Sequence, residues 1–291
     1  MSGDRLLAGR GAVVVGGSRG IGRAVAELLC GLGAFVVVNG RDPEVVQGTV
    51  AALTNAGGQA SAVIGAADDE RVAAALIGEC ANGFGRLDIL VNCAGIAEPP
   101  RSSILRITTQ EFDHLIGSHL GTVFHTCRLA APVMVAQGHG AIINTGSAAF
   151  LGDYGGTGYP AGKGAVNALT MAIAAELKAD GVRANVVCPG AKTRLSTGPE
   201  YERHIADLHR RGLLDELTMR ASLDAAPAEY VAPVYAYLAS DLARDVTGQI
   251  LVAAGGFVGR YDRPTPKLLG YRDHHDSDPW SVAELHALIG G

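Results

Sequence analysis

Tyr159 and Lys163 stand four residues apart in Gly158-Tyr159-Pro160-Ala161-Gly162-Lys163. At the start of a helix that spacing sets both side chains on one face, one above the other. An ammonium beside a phenol favours the phenolate, so the pair predicts a tyrosine whose pKa lies below the ordinary value of about 10. Such a tyrosine can pass a proton to or from a substrate oxygen near neutral pH. With 8 Tyr and four Lys in 291 residues, chance placement would give about 0.1 such pairs. Spacing alone also fits a surface tyrosine beside a solvated lysine, and the rest of the chain must decide between the two.

The elements that would position this pair alternate. The β-branched run Ala12 to Val15 ends in Gly16-Gly17-Ser18-Arg19-Gly20-Ile21-Gly22, and an apolar-periodic helix follows from Arg23 to Leu32. Strand, glycine turn and helix start form the context in which backbone N–H groups meet a pyrophosphate. The next strand, Ala34 to Asn39, ends at Gly40-Arg41-Asp42-Pro43. There an acid would bond a coenzyme's ribose 2′-hydroxyl and an arginine would accept a 2′-phosphate. Arg41 is present and no acid stands at Asn39 or Gly40, which predicts NADP(H) in preference to NAD(H). The alternative is an exposed Arg41 paired with Asp42 or Glu44.

The pattern continues with helix Glu44 to Ala56, strand Ala60 to Ile64, helix Asp69 to Gly83 and strand Leu87 to Val91, which runs into Asn92-Cys93-Ala94-Gly95. A long helix, Thr109 to Ala136, precedes strand Ala141 to Asn144, which delivers Thr145, Gly146 and Ser147. The glycine-rich loop Gly152 to Gly158 leads into the helix of Tyr159 and Lys163. Strand Arg183 to Val187 ends in Cys188-Pro189-Gly190, and the charge-rich stretch Thr193 to Asp224 reads as a substrate cover or as a surface helical excursion. Helix Ala228 to Leu238 and strand Gln249 to Val252 close the pattern. These seven strands and the intervening helices predict an α/β fold, a single doubly wound parallel sheet with helices on both faces. One domain is expected over residues 1–258, followed by an extension over 259–291 with a short amphipathic stretch, Trp280 to Ile289.

Composition narrows the partners. Apolar content of 48% with 18% charged residues belongs to a chain that buries a core. A net charge of −5 and the lack of any Lys/Arg-rich run argue against nucleic acid or an anionic membrane and for a small molecule. No apolar run reaches the length of a bilayer span, and Met1 to Arg5 lacks the apolar core of a secretory signal. The five cysteines, Cys30, Cys80, Cys93, Cys127 and Cys188, form no Cys-x-x-Cys pair and read as reduced thiols of a cytoplasmic protein. His274-His275-Asp276 reads as a solvated tail, with no metal expected.

These motifs, in this order, resemble the short-chain dehydrogenase/reductase family in its single-domain branch, over roughly residues 9–256. The resemblance makes Ser147, Tyr159 and Lys163 the catalytic group. It gives coenzyme contacts to Gly16, Ser18, Arg19, Gly20, Ile21 and Gly22, to Arg41, to Asn92, Ala94 and Gly95, to Tyr159 and Lys163, and to Pro189, Gly190 and Thr193. It implies a carbonyl or secondary-alcohol substrate and a homodimer or homotetramer. The chain departs from the pattern where Val15 replaces a threonine, Cys93 an asparagine, and Gly65 an aspartate. The asparagine of the family's catalytic group is replaced by His119, which either supports a water relay behind Lys163 or simply packs or caps its helix. His119-Leu120, Ala191 to Leu195, Glu229 to Pro233 and Gly255 to Gly259 are similar to the dehydrogenase part of the peroxisomal multifunctional enzyme of β-oxidation. That likeness implies a 3-oxoacyl or 3-hydroxyacyl thioester. A dinucleotide-binding redox sensor without catalysis is the alternative. A sugar-nucleotide epimerase would need a larger C-terminal domain than about 35 residues provide.

Overall fold

Three successive valines, Val13 to Val15, make the central strand, and all five residues of β1 (Gly11–Val15) are buried. The computed structural model describes residues 5–154 and 156–290; residues 1–4, read above for a signal, Gly155 of the glycine-rich loop and Gly291 lie outside the described residues. In chain order β1 is followed by α1 (Gly20–Gly31), β2 (Phe35–Gly40), α2 (Pro43–Asn55), β3 (Gln59–Ile64), α3 (Glu70–Gly78) and β4 (Ile89–Asn92). Then come α4 (Thr109–Ile116), α5 (Thr122–Gln137), β5 (Gly140–Thr145), α6 (Gly158–Glu176) and β6 (Val182–Gly190). The chain closes with α7 (Pro199–Arg210), α8 (Glu216–Leu223), α9 (Ala232–Ala239), β7 (Ile250–Ala254), β8 (Phe257–Tyr261) and α10 (Val282–Ile289).

The sheet runs β3-β2-β1-β4-β5-β6-β7-β8. Every neighbouring pair is parallel except β7 and β8, which are antiparallel. Side chains alternate across the sheet with the period of two that a strand imposes. Val14, Val36, Val38, Ile89 and Ile143 face the core under α1, α2 and α9, whereas Val13, Val15, Val37, Leu90 and Ile142 face the core under α3, α5 and α6. Strands buried on both faces therefore read as unbroken apolar runs.

Two features differ from the sequence reading. The sheet has an eighth strand: Gly255, at φ +55°, and Gly256 form a two-residue hairpin loop that returns β8 along β7. The compact unit accordingly ends at Tyr261 rather than 258, and Asp262–Gly291 form a second unit. The long helix is also interrupted. Between α4 and α5 the chain makes a π turn, Gly117–Gly121, with His119 in its middle and buried. Such bulges re-aim a side chain at the cost of regular hydrogen bonding.

In the second unit Arg272 lies 3.9 Å above the Trp280 ring and bonds Glu284, while Ser281 and Glu284 form a capping box for α10. Asp273, His274 and His275 bring one possible ligand atom each within 4.8 Å, two of them on exposed residues. No helix among the described residues is long and apolar enough to cross a membrane. All five cysteines are free thiols.

Candidate active site

The strand order reverses between β1 and β4, and in open α/β sheets the ligand crevice lies outside the carboxyl ends of the strands at such a switch point. The glycine turn after β1 lines one wall. A Cβ at Gly16 would sit 2.8 Å from Ala94 Cα, and one at Gly22 would collide with Gly16 O, so the turn packs backbone on backbone against Asn92–Gly95. Its helix, α1, has no side-chain cap at its N-terminus. Those uncapped N–H groups and the positive end of the helix dipole suit a pyrophosphate. Thr193 closes the crevice from the far side, since a Cβ at Gly20 would lie 3.5 Å from Thr193 Cγ2. Pro189 and Gly190 are held within β6 by pairing with Ala253 and Ala254. The residues present therefore fit a dinucleotide.

The adenosine end differs in detail from expectation. Arg19 pairs with Asp42 at 2.7 Å, and Asp42 also caps α2 through Val45 N. Arg41 is exposed and has no partner among the described residues, so the alternative, a pair with Asp42 or Glu44, is not formed. At Gly40 a Cβ would run into Ser18 Oγ and lie 2.8 Å from Val46 Cγ2, so the glycine is closely packed and a side chain there would require these two to shift. Asn39, buried, ties the strand ends together: its amide donates to Val63 O and Gly65 O and its oxygen accepts from Gly16 N. The Asn92 side chain donates to Asn144 and accepts from Thr126 inside the core, so it braces β4 against β5 and α5.

Ser147, Tyr159, Lys163 and His119 are brought together at the ends of β5 and α6. Lys163, 4% exposed, donates to Thr145 O at 2.8 Å and stands 5.8 Å from the Tyr159 ring centroid. Burial lowers its pKa to about 8. The Tyr159 phenol is raised, not lowered as the sequence predicts: burial disfavours the phenolate more than the Ser147 hydroxyl stabilises it. Lys163 points at Thr145 O and is itself harder to charge when buried, so it does not offset that cost. Cys93 and Cys188, flanking Lys163, are pushed by burial to about 11 and about 12 and stay thiols.

His119 stacks edge-on against Tyr159, with centroids 5.0 Å apart at 87°. Its Nε2 lies 3.1 Å from Ile96 O, and since a carbonyl only accepts, Nε2 carries the proton and Nδ1 is a free acceptor. Nδ1 looks into the space at Gly95, where a Cβ would be 3.1 Å from Nδ1 and 3.8 Å from Lys163 Nζ. Burial and Lys163 together drop its pKa to about 3, so the ring is neutral. It acts as a hydrogen-bonding group rather than an acid.

Two groups escaped the sequence reading. The Glu98 carboxylate caps α6, accepting from Thr157 N (2.9 Å), Gly158 N (3.2 Å) and Tyr159 N (2.5 Å). The sequence carries no signal for it: Thr157 stands at the N-cap, a residue type that often caps locally, yet its side chain makes no capping bond. Tyr154 anchors the segment expected as a cover. It packs with Tyr201 and Met219 on Ile205, Leu208 and Leu214 of the α7–α8 region, and its carbonyl contacts His204 Nε2 at 2.9 Å.

An open, mostly parallel sheet with a glycine turn at its switch point and a Ser-Tyr-Lys group at the end of β5 and the start of α6 defines a dinucleotide-dependent oxidoreductase. Residues 10–198 match the family described as short chain dehydrogenase, and the chain belongs to it. The family's coenzyme is NAD(P)(H). A 3alpha-hydroxysteroid dehydrogenase of Mediterraneibacter gnavus is 33% identical over 86% of this chain and 97% of its own length. Hydroxyacyl-CoA dehydrogenase ChsB1 of Mycobacterium tuberculosis is 33% identical over 97% of this chain and 88% of its own. The crystal structure of a short chain dehydrogenase from Mycobacterium avium superposes with a TM-score of 0.80 at 31% identity, covering 98% of this chain and 94% of that one.

Proposed function

We propose that this protein interconverts a ketone and a secondary alcohol with NADP(H), acting in the cytoplasm as a homodimer or homotetramer on a 3-oxoacyl or 3-hydroxyacyl thioester. The observation that carries the reading is the buried Lys163 joined to the backbone behind Tyr159, with Ser147 within reach of the phenol. When bound, the nicotinamide coenzyme supplies or takes up the hydride. Tyr159 gives its proton to the carbonyl oxygen in reduction and takes it back in oxidation. Ser147 donates a hydrogen bond to that oxygen and stabilises its developing charge. Lys163 holds the ribose side, and the free Nδ1 of His119 accepts from a water that reaches Lys163. A phenol raised by burial is protonated at neutral pH and so favours reduction there.

The thioester class is supported by the hydroxyacyl-CoA dehydrogenase relative, whose similarity covers 97% of the chain against 86% for the steroid dehydrogenase, and so reaches into the C-terminal unit. The test is a panel of 3-ketoacyl-CoA, steroid and quinone carbonyls followed by loss of NADPH absorbance. Turnover of the 3-ketoacyl-CoA is expected to exceed the others. No turnover of any carbonyl would favour the silent redox sensor.

NADP(H) preference is supported by the unpaired Arg41 and by the absence of an acid at Asn39 and Gly40. A bond to a charged group is worth about 1.5 to 3 kcal/mol, so Arg41→Ala is expected to weaken NADPH about 10- to 100-fold and NADH little. Titration of both coenzymes into both proteins checks this, and equal NADH and NADPH affinities in the wild type would refute it. For the cover, amides of α7 and α8 are expected to exchange more slowly in the ternary complex than in the free protein. Identical exchange would make the segment scaffold.

A further inference from the structure

Glu98 lies three residues beyond the Asn92–Gly95 turn, yet its carboxylate reaches the first turn of α6, some 60 residues later in the chain. One oxygen accepts from Thr157 N, Gly158 N and, at 2.6 Å, from Ser102 Oγ; the other accepts from Tyr159 N alone. Four donors converge on one side chain. Thr157 makes no cap of its own, and Gly156, at φ +80°, has no room for a side chain, because a Cβ there would lie 3.0 Å from the Glu98 carboxyl carbon. The loop before α6 is therefore shaped around this carboxylate.

We infer that Glu98 is a positioning residue for Tyr159: it fixes the backbone from which the phenol projects and ties that backbone to the segment following β4 that lines the coenzyme crevice. This rests on Tyr159 being the proton donor of the reaction proposed above. A helix start frays unless its N–H groups are satisfied, and the bond to Tyr159 N is charge-assisted. Displacing a reacting group by about 1 Å is enough to cost up to about 100-fold in rate. The carboxylate also sets a negative charge against the positive end of α6, at the turn from which Tyr159 projects. The other groups facing Tyr159 are Lys163 on the same helix, His119 from the π turn, Ser147 beyond β5, Cys188 of β6 and Tyr201 of α7. None of these caps the helix.

Glutamine keeps the shape of Glu98 and one acceptor oxygen, but its NH2 group must face either the Tyr159 N–H or the other three donors. Glu98→Gln and Glu98→Ala, alongside Tyr159→Phe, are therefore compared with the wild-type full chain. Three quantities are read: amide exchange of residues 150–163 by mass spectrometry, NADPH affinity and stoichiometry by fluorescence titration, and kcat over pH with acetoacetyl-CoA, or with whichever panel carbonyl is turned over. In Glu98→Ala the first-turn amides are expected to exchange faster, and kcat per NADPH-binding site to fall about 10-fold or more, with NADPH affinity within about twofold of wild type. Glu98→Gln is expected to fall between the two. In both variants the acid limb of the oxidation profile is expected to move down by about half a pH unit, because removing a nearby negative charge favours the phenolate. A misfolded fraction would lower stoichiometry without moving that limb, and would overturn the inference. Wild-type amide protection in Glu98→Ala would also overturn it, whatever the activity. If Tyr159→Phe is silent while Glu98→Ala turns over normally, only the role of Glu98 falls. If Tyr159→Phe is active, the proposed mechanism falls and the role of Glu98 with it.

Discussion

Tyr159→Phe is expected to lower kcat at least about 100-fold, the usual loss when an acid/base group is removed, while NADPH binding stays within about twofold. Phenylalanine keeps the ring that packs against His119 and loses only the hydroxyl that meets Ser147. Steady-state kinetics and coenzyme titration on the same preparation separate the two quantities. The direction of the pKa shift adds a sign. Because burial holds the phenol above its ordinary value of about 10, the wild type should carry the proton needed for reduction throughout the neutral range. Alcohol oxidation, which needs the phenolate, should instead rise steadily with pH. Near-normal turnover by the phenylalanine variant, or an oxidation rate that is flat with pH, would remove Tyr159 from the mechanism.

Much of this arrangement is legible in the sequence because it is local. Valine runs buried on both faces, glycine turns at strand ends and a four-residue spacing on one helix are set by neighbours in the chain. What escapes depends on distance. The carboxylate that caps α6 comes from Glu98, so no pattern around Gly158 can reveal it. The bracing role of the Asn92 side chain is equally hidden, because its partners Asn144 and Thr126 lie on other elements. The π turn leaves apolar periodicity almost untouched, so Thr109 to Ala136 reads as one helix although His119 is turned inward. The Phe257 to Tyr261 stretch is too short and broken by Gly259 to stand out, and becomes a strand by pairing along β7. The phenol's pKa takes the opposite sign from the one its spacing predicts for a related reason: spacing shows the ammonium beside it but not the depth at which both are buried.

At the opposite, amino ends of the strands, Asp88→Asn is expected to destabilise the fold by about 2 to 4 kcal/mol at pH 7. Asp88 is fully buried just before β4. Its carboxylate accepts from Gly11 N at 2.9 Å, from Arg86 Nε and Nη2 at 2.6 and 2.5 Å, and from Arg10 Nη1 at 3.1 Å, while Arg10 also reaches Asp241. The side chain thereby locks β1 to β4. Burial alone would raise the Asp88 pKa, but the bonds from Arg86, Gly11 and Arg10 together outweigh it and leave the value below that of an ordinary carboxylate. A pKa lowered by folding means stabilisation that is fully present above the unfolded value, about 3.9, and is lost as pH falls through the folded value beneath it. Arg86 and Arg10 are 43% and 24% exposed and can turn towards water once the acid is gone, which holds the cost below that of a fully buried pair. The wild type should therefore unfold at higher urea than Asp88→Asn at pH 7 and at pH 5, with the gap closing below about pH 4. Specific activity per folded molecule should be unchanged, because this cluster lies at the far end of the sheet from Tyr159. Equal midpoints at pH 7, or a gap that persists unchanged at pH 3, would show that the carboxylate's charge is not what holds the two strands together.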